Sequence, residues 1–254
     1  MTAPAQASLL ALDGVTKAFG GIHALSRVTC AVPRGQIVGI IGPNGAGKTT
    51  MFNVITGAFR ADAGTIVLDG RPITHEPSHR IARAGISRTF QNIRLFGGMT
   101  VWEHLLVAQP HGESALRRLL PTRWADPAAL RRAQEVLEFF GLKDVRDRVA
   151  RSLPYGTQRK VEMARAISAR PKLLLLDEPV AGMNHEEAED VRSLMLQLRD
   201  GGLSILLIEH DMAFVMNLCD YLYVLDFGVM IAQGRPDEVR ANPKVLDAYL
   251  GRAA

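Results

Sequence analysis

A glycine-rich segment, GPNGAGKT at Gly42–Thr49, has the residue types and spacing of a phosphate-binding loop. It fits the pattern G-x-x-x-x-G-K-S/T and lies between a short apolar run and a segment with helical character. Its glycines let the backbone curl so that successive N–H groups point at phosphate oxygens, and the N-terminus of the following helix adds positive potential. Lys48 would reach the outer phosphates, and the Thr49 hydroxyl would ligate Mg²⁺. The segment therefore predicts binding of a nucleoside triphosphate.

A second segment, LLLLDE, supplies two carboxylates directly after an apolar run. A buried strand would deliver Asp177 to its carboxyl end, beside the Mg²⁺ of the phosphate loop. Glu178, one residue further, would act as the general base that polarises an attacking water. If the segment stood alone, a strand ending in ordinary surface carboxylates would explain it equally well. In combination with the phosphate loop, it predicts hydrolysis of the bound nucleotide.

The elements that must hold these residues follow from the hydrophobic pattern. Short apolar runs predict four strands, at Gln36–Gly42, Gly64–Gly70, Lys172–Glu178 and Leu203–His210, the first of them buried. A helix should follow the phosphate loop and end at Gly57. Another should begin with Asn184 as its N-cap and Glu187 three residues on, and should bury Val191, Leu194, Met195 and Leu198. Strands that alternate with helices in this way predict a mostly parallel sheet.

The middle third of the chain, from about Thr100 to Arg170, has a mainly helical pattern and few candidate strands. Its clearest helix should have Asp126 as N-cap, Pro127 at the first position and Gly141 as C-cap. One face of that helix carries the apolar residues Leu130, Ala133, Val136, Leu137 and Phe140. This region is predicted to be an inserted helical subdomain.

Composition narrows the classes of protein that fit. The 254 residues are 47% apolar and 22% charged, which suits one large α/β domain or two small ones. A net charge of +4 without a Lys/Arg run favours an ordinary solvated surface over a nucleic-acid footprint. Cys30 and Cys219 lie in apolar surroundings and are predicted to be reduced core residues. Without a signal-peptide pattern or a membrane-length apolar run, we expect a cytosolic protein that needs a partner to reach a membrane.

Five segments taken together resemble the ATPase subunit of an ABC transporter: GPNGAGKTT, the Phe90–Gln91 pair, LPYGTQRKVEMARA, LLLLDEP and IEHDM. The likeness runs from about Leu9 to Gly251. It is most similar to the ATPases of branched-chain amino-acid importers, on the basis of the YG form of the LPYGT motif, AGMN after Asp-Glu-Pro, LLIEHDM and the ending NPKVLDAYLG.

The resemblance implies an α/β fold. Its P-loop NTPase core would have a mostly parallel sheet flanked by helices and an antiparallel β portion, with an inserted α-helical subdomain. It implies a single ABC ATPase domain over residues 9–251, with a RecA-like core at 9–92 and 160–240. The helical subdomain would occupy about 93–159, and a short helical tail would occupy 236–251.

The resemblance also implies a set of site residues that bind ATP and Mg²⁺. Phe19 would stack on adenine, Gln91 would touch Mg²⁺ and the attacking water, and His210 would contact the γ-phosphate. The expected catalytic set is Glu178, His210, Gln91 and Lys48, and the expected metal ligands are Thr49, Gln91 and Asp177. The nucleotide would lie on Gly42, Asn44, Gly45, Ala46, Gly47, Lys48, Thr49 and Thr50. Tyr155, Gly156 and Thr157 would reach the ATP of a partner subunit.

Pro154–Thr157, within the LPYGT segment, is predicted to form a loop ahead of the next helix. The segment departs from the usual family motif, Leu-Ser-Gly-Gly-Gln, because Pro154 replaces the serine. One hydroxyl donor and one backbone N–H to the phosphate are therefore missing. Two alternatives stay open: a working site that relies on the Gly156 N–H and the N-terminus of the next helix, or a weak site in an asymmetric dimer. Thr157 would either add a hydroxyl or cap that helix.

The resemblance implies partners as well. Two ATPase subunits would pack head to tail, with the second subunit either another copy or, as we expect, a related chain. Transmembrane permease subunits would hold the protein at the cytoplasmic face of the membrane, and a substrate-binding protein would act indirectly. The surface around Phe96, Met99 and Trp102 would receive a permease helix, unless these residues are core. Alternatives are the ATPase of another ABC system (urea or amide uptake, or lipopolysaccharide export) and a soluble ABC protein without a transport role.

Two further patterns are assigned no chemistry. DFG at Asp226–Gly228 resembles a kinase metal motif, but it lies between two strand-like runs and is predicted to be a hairpin turn. The histidines at His75, His79 and His185 lack a metal-ligand spacing.

Overall fold

The computed structural model of the protein describes residues 8–109 and 127–250. Within them the strands are β1 (Ser8–Phe19), β2 (Ile22–Pro33), β3 (Ile37–Ile41), β4 (Ala63–Leu68), β5 (Arg71–Pro72), β6 (Ile86–Arg88), β7 (Leu173–Asp177), β8 (Ser204–Ile208), β9 (Tyr221–Asp226) and β10 (Val229–Gly234). The helices are α1 (Lys48–Ile55), α2 (Ser78–Ala84), α3 (Val101–Val107), α4 (Pro127–Phe139), α5 (Tyr155–Ser168), α6 (His185–Asp200), α7 (Met212–Leu218), α8 (Pro236–Arg240) and α9 (Pro243–Leu250).

The larger sheet has six strands in the order β10-β9-β3-β8-β7-β6, and all neighbours are parallel except the β9–β10 hairpin. Every residue of β3, β7 and β8 is buried, because apolar layers cover both faces of the sheet. The predicted strands and the mostly parallel sheet are confirmed, as is the hairpin turn at Asp226–Gly228. Because the strands are parallel, the residues that follow β3, β7 and β8 meet at one edge.

A second, four-stranded antiparallel sheet has the order β2-β1-β4-β5 and covers one face of the larger sheet. Val38 and Ile40 of β3 point into the core shared with this sheet, whereas Ile37 and Ile41 point into the core on the helical side. The alternation follows the two-residue period of a strand. The hydrophobic pattern did not predict the long strands β1 and β2, because register shifts interrupt their alternation near Leu12 and Val15. The resemblance alone implied them.

The two predicted helices around the site form as expected. Helix α1 begins at Lys48, and the segment after it turns at Gly57, which has a φ of 70°. Helix α6 has a complete capping box, in which the Asn184 side chain accepts from the Glu187 N–H and Glu187 accepts from the Asn184 N–H. Its stripe points inward, with Val191 and Met195 buried and Leu194 and Leu198 packed against the core.

The start of α5 differs from the expectation of a loop at Pro154–Thr157. Pro154 is the N-cap, with a φ of −56°, and Tyr155 is already helical. Proline is suited to a helix start because it has no N–H that needs an intrahelical acceptor. Thr157 therefore lies inside the first turn and does not cap the helix.

The middle of the chain is helical, and α3, α4 and α5 pack against one another. Helix α4 starts with Pro127 and is followed by Gly141 at a φ of 64°; the predicted N-cap, Asp126, lies outside the described residues. Of the three residues considered for a permease surface, Phe96 is 61% exposed, while Trp102 packs partly into the core under the Arg146 guanidinium. Met99 is half-buried.

Cys30 and Cys219 are free and buried, as predicted, and burial raises the pKa of the Cys30 thiol to about 12. None of the helices in the described part of the chain is long and apolar enough to cross a membrane.

Candidate functional site

The phosphate loop joins β3 to α1 and curls through three left-handed glycines: Gly42, Gly45 and Gly47, with φ values of 146°, 82° and 103°. Gly47 is the N-cap of α1. The first N–H groups of α1 have no intrahelical acceptors and point out of the helix end. Lys48 is buried, and its Nζ donates to the carbonyls of Gly42 at 2.7 Å and Pro43 at 2.9 Å. A cation and a row of N–H groups therefore share one small concave region.

Neighbouring backbone holds the loop from two sides. A Cβ at Gly42 would overlap the Leu225 carbonyl oxygen of β9, and one at Gly47 would overlap the Ala24 carbonyl oxygen of β2. The Gly228 N–H, in the β9–β10 turn, donates to the Ala46 carbonyl at 2.8 Å. Asn44, Gly45 and Thr49 are exposed at the rim, and Thr50 is half-buried. The loop thus has a fixed backbone and an open outer face.

Glu178 stands directly after β7 and is the centre of the acidic half of the site. Its φ is 48°, which is uncommon for a residue with a Cβ. Its Oε2 accepts from Gln91 Nε2 at 2.8 Å, and its Oε1 lies 3.8 Å from His210 Nδ1. The structure therefore brings together three residues that are 87 and 32 positions apart in the chain.

Asp177, the last residue of β7, is buried and paired with Arg88, a residue to which the sequence assigned no role. Arg88 donates to Asp177 Oδ2 at 2.9 Å and to Asn53 Oδ1 at 2.7 Å, and its guanidinium lies over the Phe90 ring. No hydrogen bond from the residues that the structure describes is formed to Asp177 Oδ1. In the sequence, the available indication was an arginine two residues before the Phe90–Gln91 pair.

Electrostatics join the two halves of the site. Burial lowers the pKa of Lys48, and the negative charges of Glu178 and then Asp177 partly offset that effect. Both carboxylates therefore act electrostatically on the lysine. A bound anion at the loop would add a further counter-charge and favour the protonated ammonium.

Glu209, at the end of β8, is a second residue that the sequence reasoning missed. It is fully buried and accepts N–H bonds from Val180 at 3.2 Å, His210 at 2.9 Å and Asp211 at 3.3 Å. Burial raises its pKa, and these three N–H bonds oppose the shift. Glu209 thereby fixes the backbone of His210 relative to the segment that follows Glu178. In the sequence, the indication of its role was an acidic residue at the end of an apolar run, in LLIEH.

Phe19 ends β1 in the hairpin whose second strand contacts the phosphate loop at Ala24. It is 42% exposed and contacts the edge of Phe59, with centroids 5.2 Å apart. Lys17 Nζ lies 5.2 Å from its centroid. The ring is therefore partly open to solvent and available for stacking.

Tyr155, Gly156 and Thr157 form a separate group in the first turn of α5. A Cβ at Gly182 would contact the Tyr155 ring at 3.5 Å, and Gly156 lies against the Glu187 carboxylate. Among the described residues, no hydrogen bond joins this group directly to Lys48, Asp177 or Glu178. Within one chain, the predicted site residues thus fall into two groups.

Two family models match the chain. The model described as "ABC transporter" matches residues 25–181, and the model described as "Branched-chain amino acid ATP-binding cassette transporter" matches residues 229–254. The first covers the phosphate loop, Gln91, the start of α5, Asp177 and Glu178.

Individual proteins that match the chain over nearly their whole length belong to the same family. The chain is 44% identical over 251 residues to the high-affinity branched-chain amino acid transport ATP-binding protein BraF of Pseudomonas aeruginosa, covering 96% of this chain and 98% of BraF. It is 45% identical over 252 residues to LivG of Salmonella typhimurium, a protein of the same description, with the same coverage. The crystal structure of an ATP-binding cassette of an ABC transporter in its ADP conformation superposes with a TM-score of 0.86 at 37% identity, covering 96% of this chain and 99% of that one.

The packing of the phosphate loop predicts different costs at two of its glycines. Gly45→Ala adds a Cβ at a left-handed residue with nothing within 4 Å, and should lower the free energy of unfolding by about 1 kcal/mol. Gly47→Ala adds the same strain and also an overlap with the Ala24 carbonyl, and should cost about 3 kcal/mol. Urea denaturation without nucleotide measures both costs. Equal costs would contradict the close fit of Gly47 against the Ala24 carbonyl.

Proposed function

This chain belongs to the ABC transporter family, and we propose that it is the ATP-hydrolysing subunit that powers an importer of branched-chain amino acids. The convergence of Lys48, Asp177 and Glu178 at one sheet edge carries the hydrolytic part of the proposal. Branched-chain amino acids as the transported substrates are supported by BraF and LivG, which match over nearly their whole length, and by the family model that matches residues 229–254.

ATP would lie on the outer face of the phosphate loop. The N–H groups at the start of α1 would donate to phosphate oxygens, and Lys48 Nζ would exchange the Gly42 and Pro43 carbonyls for the outer phosphates. The adenine would stack on the exposed ring of Phe19. Asn44, Gly45, Ala46, Gly47, Thr49 and Thr50 complete the proposed contact surface.

The residues proposed for Mg²⁺ suit that ion. Thr49 offers an exposed hydroxyl, Asp177 keeps Oδ1 because Arg88 takes Oδ2, and Gln91 keeps Oε1 because its Nε2 faces Glu178. Mg²⁺ accepts oxygen ligands and keeps several waters, so two or three protein donors are enough. When bound, the ion would neutralise charge on the phosphoryl oxygens.

Glu178 would act as the general base. A water oxygen attacks the γ-phosphorus and gives a proton to the Glu178 carboxylate, while the bond to the β–γ bridging oxygen breaks to leave ADP and phosphate. Gln91 and His210, which flank the carboxylate, would orient the water and the γ-phosphate. Lys48 would stabilise the charge on the transferring group.

The separate group at the start of α5 supports a head-to-tail dimer. In such a dimer Tyr155, Gly156 and Thr157 would complete the ATP site of the second subunit, so that ATP holds the two subunits together. Hydrolysis would remove the bridging γ-phosphate and let the dimer open. Phe96, which is 61% exposed, would contact a permease subunit, and closure of the dimer would reach the membrane subunits through that contact.

Replacing the proposed base tests the reaction. Glu178→Gln should reduce ATP hydrolysis at least about 100-fold, because an amide does not accept the proton. Nucleotide binding should persist, so that ATP traps a dimer visible by size-exclusion chromatography. The matched control is Glu135→Gln, on the exposed face of α4, which should hydrolyse at the wild-type rate. Wild-type turnover by the Glu178 variant would remove the assignment of the base.

Pro154→Ser distinguishes the two alternatives for the start of α5. If backbone donors suffice, the ATP concentration that half-saturates dimerisation of the Glu178→Gln protein should change less than about twofold. Tighter dimerisation would instead show that the proline weakens the site. The control, Pro236→Ser, makes the same replacement at the first residue of α8.

Uptake measurements test the transported class. In cells that encode the chain, replacing it with the Glu178→Gln variant should abolish the ATP-dependent part of leucine, isoleucine and valine uptake. Urea uptake serves as the control and should be unchanged. Loss of urea uptake with normal leucine uptake would favour the alternative ABC system.

A further inference from the structure

Three charged side chains on one face of α5 hold the backbone of residues 90–94. Arg159 donates from Nη1 to the Phe90 carbonyl and from Nη2 to the Gln91 carbonyl, both at 2.6 Å. Glu162 Oε1 accepts the Arg94 N–H at 3.0 Å, and Arg165 Nη1 donates to the Arg94 carbonyl at 2.6 Å. Spaced three residues apart, these side chains lie on one side of the helix. The segment that carries Gln91 is thereby tied to α5.

The centre of this arrangement is fully buried. Arg159 and Glu162 have no exposed surface, and Arg159 Nη1 donates to Glu162 Oε2 at 3.0 Å. Removing an ion pair from water costs more than apolar packing of the same volume, so a buried pair is weak evidence of a stabilising role. The acceptors instead indicate what the pair does, because they are the main-chain carbonyls of Phe90 and Gln91.

A short series of contacts runs from the start of α5 to the proposed base. Arg159 Nη2 donates to the Tyr155 hydroxyl at 3.1 Å as well as to the Gln91 carbonyl. The Gln91 side chain then donates to Glu178 at 2.8 Å. Three hydrogen bonds thus connect Tyr155, in the group proposed to meet the partner's ATP, with the base of this chain's own site.

We propose that Arg159 is a positioning residue that makes the alignment of Glu178 depend on the position of the Tyr155–Thr157 segment. ATP that draws this segment toward the partner subunit moves the Gln91 backbone with it, through Arg159. The hydrogen bond from Gln91 to Glu178 then changes, so the base at one site responds to the nucleotide at the other. This inference rests on the proposed roles of Gln91 and Glu178.

A double-mutant cycle on the full-length chain tests the inference. Arg159→Lys keeps the charge opposite Glu162 but cannot reach both carbonyls and the Tyr155 hydroxyl, so kcat should fall about tenfold while KM for ATP stays within about twofold. If Arg159 acts through Gln91, adding Arg159→Lys to Gln91→Ala should lower kcat no further. Multiplicative losses in the double variant would overturn the proposal.

A more conservative substitution distinguishes the proposed coupling from a folding defect. Tyr155→Phe removes only the hydroxyl that Arg159 contacts, and should lower kcat about threefold in the wild-type protein and leave it unchanged in Gln91→Ala. Lys160→Gln is the matched control, since its exposed ion pair with Asp190 lies on another face of α5; its kcat should equal that of the wild type. Wild-type kcat for Tyr155→Phe would contradict the link to the start of α5.

The outcomes separate this inference from the proposed reaction. If Glu178→Gln hydrolyses ATP normally, the assigned base is wrong. If Glu178→Gln is inactive but the Arg159 and Gln91 variants combine multiplicatively, only the positioning role of Arg159 fails.

Discussion

The site depends on the fit of the phosphate loop between two carbonyl groups, one from Ala24 in β2 and one from Leu225 in β9. Only glycine at Gly42 and Gly47 leaves room for that fit, because a Cβ at either position would overlap the neighbouring backbone. Anion binding by main-chain N–H groups requires a backbone that does not reorganise when the ligand arrives. Residues from both sheets thus position a segment whose own side chains contribute mainly Lys48 and Thr49.

Three carboxylates at the same sheet edge have different surroundings, and these surroundings separate their roles. Asp177 is paired with Arg88, Glu209 is enclosed by three N–H groups, and Glu178 is held by the Gln91 amide with about a fifth of its side chain exposed. Burial raises the pKa of Glu209, and its three N–H bonds oppose that shift. Glu178 is therefore the carboxylate with both access to solvent and neighbours suited to orienting a water.

Helix α5 connects functions that lie at opposite ends of the proposed mechanism. In the proposed dimer its first turn would face a partner subunit, and its buried face holds the segment with Gln91. A helix transmits displacement of one end to the other because its backbone hydrogen bonds make it stiff. The two ATP sites of a dimer would then be coupled through each chain as well as across the interface.

The sequence by itself determined the features that depend on near neighbours. The phosphate loop, the apolar strands β3, β7 and β8 and the capping box of α6 each follow from residues a few positions apart, whose physics is local. Pairings across long separations were decided only by the tertiary structure: Arg88 with Asp177, 89 positions apart, and Arg159 with the Gln91 carbonyl, 68 positions apart. The parallel sheet brings such residues together through crossovers, and a charged residue carries no local sign of the partner it will meet. The start of α5 at Tyr155 was also decided by the tertiary structure. The Pro-Tyr-Gly-Thr sequence, taken alone, predicted a loop, whereas these residues form a first helical turn that packs against Gly182 and Glu187.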